Sequence, residues 1–80
     1  MALGDNIKRQ REGHSLTQQQ LADKLYVSRQ TVCRWENGSR CPDLIMAKKL
    51  AVELDISLDE LISDEDLKEF TKNDFPFHSD

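Results

Sequence analysis

Between Ser28 and Gly38 lie Arg29, Gln30, Thr31, Arg34 and Asn37. Wound as a helix at about 100° per residue, this stretch puts Ser28, Val32 and Trp35 on one side, with Glu36 at its edge. Gln30, Cys33, Arg34 and Asn37 fall opposite, and Arg29 flanks the first turn. The outer face therefore offers Arg, Gln, Arg and Asn, and no acid. A guanidinium forks onto the N7/O6 edge of guanine, and a carboxamide pairs with N6/N7 of adenine. A helix start also carries the positive end of the dipole, which favours phosphate. Any surface helix is polar on its outer side, so the neighbouring elements decide what this face means.

Other chemistry is poorly supplied. The cysteines are Cys33 and Cys41, the histidines His14 and His78, and no two of these sit in the close pairs that a zinc site uses. A Cys–His pair can be drawn, but no third orienting group accompanies it. No catalytic residue, metal or cofactor is expected, and both thiols are expected reduced. A chain of 80 residues has room for one small core, which argues against an enzyme with a substrate cleft. It is 38% apolar and 32% charged, as suits a soluble globular domain. No apolar run approaches the roughly 20 residues of a membrane span, and no secretory signal opens the chain. No membrane contact and a cytoplasmic place are expected.

The elements that position the outer face are helical throughout. Leu3 and Ile7, four apart, define a first helix from Leu3 to about Glu12, which Gly13 ends. A second starts at Thr17, where Thr17 and Gln20 have capping-box spacing, and carries Leu21, Ala22 and Leu25. After a tight turn at Tyr26–Val27, Ser28 caps the third helix, which Gly38 ends in a left-handed conformation. Pro42–Asp43 opens a fourth helix with apolar Leu44, Ala47, Leu50, Ala51 and Leu54. Ser57 and Glu60 box a short fifth, with Leu58, Leu61 and Ile62 facing inward. From Ser63 the composition turns acidic, and Phe75–Pro76–Phe77 is incompatible with helix interior.

The net charge of −4 hides a split. Residues 1–40 carry seven basic and four acidic side chains, and residues 41–80 carry four and eleven. A polyanion responds to the field within about one Debye length, roughly 8–10 Å. The basic first half therefore keeps nucleic acid open as a partner.

Two short helices joined by a tight turn, the second polar outside, describe a helix-turn-helix. The segments Leu16–Leu25, Val27–Val32, Trp35–Gly38, Pro42–Asp43 and Ile56–Leu61 closely resemble, in order and spacing, the lambda repressor-like, Cro/C1-type (XRE) helix-turn-helix family. The resemblance covers residues 3–62. It implies a compact all-α, five-helix DNA-binding domain over residues 1–62, with the helix-turn-helix at helices 2 and 3. By composition, residues 63–80 are expected to be an acidic tail, a short helix followed by a disordered end. Position by position, the resemblance implies base reading by Ser28, Arg29, Gln30, Thr31 and Arg34. It implies phosphate contacts by Gln18, Asn37 and Arg40, and an ion pair between Arg11 and Glu36 that ties the first helix to the end of the third.

Three positions depart from the family pattern. Tyr26 stands where glycine is common, Gln10 where an apolar residue is common, and Cys33 in place of a small polar residue. The function implied is a sequence-specific, double-stranded DNA-binding transcriptional regulator of bacterial or phage type. It is expected to be a repressor that binds a near-palindromic operator as a homodimer and associates with the nucleoid. The alternative is an antitoxin or adaptor on the same fold, gripping a protein partner through Leu67, Phe70, Phe75 and Phe77 of the tail. Trp35 is expected in the core, His14 in solvent, and Lys48 and Lys49 on a solvated face.

Overall fold

The computed structural model describes residues 2–63 and Asp66. The expectations for Leu67, Phe70 and Phe75–Pro76–Phe77 lie outside the described residues. The fold is all-α, with α1 Ala2–Gly13, α2 Gln18–Leu25, α3 Arg29–Asn37, α4 Leu44–Glu53 and α5 Leu58–Leu61. Helices α1 and α2 pack on α3, α4 packs on α2 and α5, and α5 touches α1.

The connections follow one repeating device. In each of three turns a helix ends on a non-glycine residue with positive φ: Ser15 at 58°, Tyr26 at 59° and Asp55 at 56°. The next residue, Leu16, Val27 or Ile56, donates its N–H back to the carbonyl of Arg11, Ala22 or Ala51 at 3.0–3.1 Å. That is the closing bond of a Schellman motif, and it satisfies carbonyls the helix end leaves bare. The same three apolar side chains pack on the core. The following Thr17, Ser28 or Ser57 caps the next helix through its hydroxyl. Thr17/Gln20 and Ser57/Glu60 are complete capping boxes, and Asp43 caps α4 through Met46 N.

Glycine is used differently from the sequence expectation. Helix α1 includes Gly13, and the left-handed residue is Ser15. Gly38 does end α3 in the left-handed region, at φ 84°. Tyr26 adopts the strained conformation with its side chain 91% exposed, so ring packing does not offset it. A left-handed non-glycine residue costs roughly 1 kcal/mol. Tyr26→Gly is therefore expected to raise the melting temperature by roughly 4–8 °C in a thermal scan.

The core collects Leu3 and Ile7 from α1, Leu21, Ala22 and Leu25 from α2, Val32 and Trp35 from α3, Leu50, Ala51 and Leu54 around α4, and Leu61 from α5. These are the 3–4 spaced positions of each helix. Leu44 is the exception: it belongs to the apolar series of α4, yet it is 74% exposed. It lies beside Ile45 at the helix start, on a side that no other described element covers. Leu58 and Ile62 are half-buried against the core.

Candidate nucleic-acid interface

Ser28 sets the register of α3. Its hydroxyl accepts from Thr31 N at 3.2 Å and lies 3.0 Å from Thr31 Oγ1. Ser28 and Thr31 therefore hold the first turn of α3 through each other, and Ser28 is exposed rather than buried with Val32. Val32 and Trp35 anchor the opposite side, at 0% and 5% exposure. With that side fixed in the core, Arg29, Gln30 and Arg34 are exposed on the outside. Cys33 is half-buried between these two sides, and neither Cys33 nor Cys41 is part of a disulfide.

The single acid of α3 is turned away from the outer face. Glu36 Oε2 accepts from Arg11 Nε at 2.7 Å, and Oε1 accepts from Arg11 Nη2 at 3.1 Å. Both side chains are largely buried, 10% exposed for Arg11 and 4% for Glu36. Arg11 Nη1 also donates to the Leu16 carbonyl at 2.7 Å, so one guanidinium ties α1 to α3 and to the α1–α2 turn. The hydrogen bond to Glu36 pushes the Arg11 pKa further up, burial opposes it, and the charges of Glu36 and Glu12 add to the rise. The guanidinium stays charged at any pH the protein meets.

Gln18 joins the same carboxylate. Its Nε2 donates to Glu36 Oε1 at 3.1 Å, which uses one of the two amide protons and leaves the other for a group outside. Asn37 is exposed, and its Oδ1 accepts from Ser39 N at 2.9 Å and Ser39 Oγ at 2.6 Å. That Asx turn shapes the loop after α3. Arg40 N closes the loop onto the Arg34 carbonyl at 3.2 Å. A cleft of about 480 Å³ opens between α3 and this loop, and Thr31, Arg34, Arg40 and Asp43 line it over a floor of Trp35. The structure thus brings Arg34 and Arg40 to one cleft and joins Gln18 to the Arg11–Glu36 pair.

Three contacts here had no sequence signature. His14 Nε2 donates to the Leu54 carbonyl at 2.8 Å, pinning the end of α4 instead of facing solvent alone. Asn6 Nδ2 donates to the Leu61 carbonyl at 3.1 Å, joining α1 to the last residue of α5. Gly4 lies against the end of α3: a Cβ there would be 2.6 Å from the Glu36 carbonyl oxygen and 2.7 Å from that of Trp35. Among the described residues no helix is long and apolar enough to cross a membrane, and no group of His, Cys, Asp and Glu could hold a metal.

A helix-turn-helix family profile matches residues 7–61. The chain is 37% identical over 67 residues to the HTH-type transcriptional activator BcrR of Enterococcus faecalis, covering 84% of this chain and 33% of that one. It is 41% identical over 61 residues to the uncharacterized HTH-type transcriptional regulator YqaE of Bacillus subtilis, covering 76% and 53%. It is 39% identical over 62 residues to the uncharacterized HTH-type transcriptional regulator MJ0272 of Methanocaldococcus jannaschii, covering 78% and 94%. The match thus spans a third of the first relative, about half of the second and nearly all of the third. No solved structure matches the chain. With the five-helix order, the capped turn before α3 and a match over most of its length, the chain belongs to the Cro/C1-type (XRE) helix-turn-helix family.

Proposed function

We propose that the chain binds double-stranded DNA with sequence preference and regulates transcription, laying the outer face of α3 in the major groove. The observation that carries this reading is the exposed set Arg29, Gln30 and Arg34 on a helix whose only acid is turned inward and neutralised by Arg11. Bases are read by these three side chains, with Ser28 and Thr31 at the helix start. The backbone is held by Gln18 in front of α3 and by Asn37 and Arg40 behind it. Phosphate contacts supply affinity and register, and base contacts supply discrimination.

Two copies on a near-palindromic operator place their α3 helices in successive major grooves, roughly 34 Å apart. A protein bound across a promoter excludes polymerase, which makes the chain a repressor there. One relative bears the name of an activator, and operator position decides between the two outcomes. The sites of action are the cytoplasm and its DNA, in keeping with the family.

A salt titration tests the reading. A dimer that neutralises about six phosphates loses roughly 10³-fold in affinity between ~50 and ~200 mM salt. Affinity that does not fall with salt would contradict DNA binding of this kind. Gln18→Ala separates positioning from reading. It is expected to weaken binding to operator and unrelated duplex by the same factor, about 3–10-fold, measured side by side in gel shifts. A selective loss of operator binding would assign Gln18 to base reading instead.

A further inference from the structure

Asp66 lies far along the chain from α3, yet it is fully buried, at 0% exposure. Its Oδ1 accepts from Leu3 N at 3.1 Å, across 63 positions of sequence. Its Oδ2 accepts from Ser63 N at 3.2 Å and from Ser63 Oγ at 3.0 Å, and Asp66 N donates to Ser63 Oγ at 3.3 Å. The carboxylate makes no ion pair among the described residues. What offsets its burial is hydrogen bonding and the positive end of α1, whose first N–H groups lack partners within the helix. Asp66 therefore fixes the start of α1 in a way that a solvent-exposed cap would not.

The start of α1 is also where α1 touches α3. Leu3, which donates to Asp66, is followed by Gly4, whose Cα faces the Trp35 and Glu36 carbonyls with no room for a methyl group. One turn later Ile7 enters the core, and Arg11 then grips Glu36. Helix α1 is held at its first residues by Asp66 and meets α3 at both Gly4 and Arg11.

We propose that Asp66 is a positioning residue for DNA recognition: its buried carboxylate seats the N-terminus of α1 on the end of α3 and so sets the attitude of the reading face. The functional part of this proposal rests on the DNA-binding reading above, and its structural part on the contacts of Leu3, Gly4 and Arg11, which Trp35 reports independently of DNA.

The test compares Asp66→Ala, Asp66→Asn and Ser57→Ala in the full 80-residue chain, at a temperature where far-UV circular dichroism shows each to be folded. Ser57→Ala removes the capping box at the start of α5, the opposite end of that helix from the Leu61 carbonyl that α1 meets, and serves as a control for loss of a cap that makes no hydrogen bond with α1. The readouts are affinity for an operator selected with the parent protein and the emission maximum of Trp35, the only tryptophan. Asp66→Ala is expected to weaken operator binding about tenfold and to shift Trp35 emission to the red. Asp66→Asn keeps an acceptor for Leu3 N but turns an amide donor toward Ser63 N, and is expected to bind about threefold more weakly than the parent, with a smaller red shift than Asp66→Ala. Ser57→Ala is expected to leave both readouts at parental values.

Asp66→Ala that binds and emits like the parent overturns the proposal, as does Ser57→Ala producing the same loss. If Asp66→Ala does not fold, Asp66→Asn decides. A small loss of affinity with a red shift larger than that of Ser57→Ala supports the proposal, and parental values for both overturn it. If the parent protein selects no DNA, the DNA-binding reading fails. The Trp35 shift then still shows whether Asp66 seats α1 on α3.

Discussion

Arg11→Ala is expected to destabilise the domain by about 3–5 kcal/mol and to weaken DNA binding with it. The substitution removes three hydrogen bonds at once, two to Glu36 and one to the Leu16 carbonyl. It leaves the Glu36 carboxylate, 4% exposed, with Gln18 as its one remaining side-chain donor. An uncompensated buried charge dominates that sum, because the pair's own attraction roughly cancels its desolvation. At roughly 4–8 °C per kcal/mol for a domain of this size, the melting temperature falls by more than about 12 °C. Replacing both partners, Arg11→Met with Glu36→Leu, is expected to return much of the lost stability, since no buried charge is then left unpaired. It is not expected to return DNA affinity, because Gln18 has lost the acceptor that orients it. Calorimetry and gel shifts on the single and double variants check this. A melting curve for Arg11→Ala unchanged from the parent would remove the pair from the account.

Gln30→Ala is expected to lose about 5–150-fold in affinity for the operator, the worth of one good bidentate base contact. Binding to unrelated duplex is expected to change by less than about threefold, because the side chain is neutral and no phosphate contact is removed. Arg29→Ala loses operator preference to a similar degree. Because Arg29 is assigned to a base edge and not to a phosphate, the slope of log affinity against log salt is expected to change by less than about one. Equal losses on operator and unrelated DNA in both variants would show that these residues hold the backbone and do not read bases.

How much of this was written in the sequence depends on the range of the interaction involved. The caps were legible, because Thr17/Gln20, Ser57/Glu60, Ser28 and Asp43 act within three residues of themselves. The inward positions of Val32 and Trp35 were legible from helical period, and with them the outward turn of Arg29, Gln30 and Arg34. Helical period identifies an apolar series but not what covers it, which is why Leu44 belongs to the series of α4 and yet lies exposed. Glycine drew attention to Gly13, whereas the Schellman bonds place the left-handed residue at Ser15 and again at Asp55. The close approach at Gly4, the His14–Leu54 hydrogen bond and the burial of Asp66 depend on groups brought together from distant parts of the chain. Nothing local marks Gly4 or His14, and the Ser63–Asp66 spacing marks a cap without showing that its carboxylate is buried against Leu3.

The central claim is that the exposed row on α3 interrogates base edges in a duplex, and selection of bound sites from a random DNA pool tests it most directly. The expected product is a short two-fold-symmetric consensus, its half-sites one helical turn apart, about 34 Å. A pool recovered without sequence enrichment would contradict it.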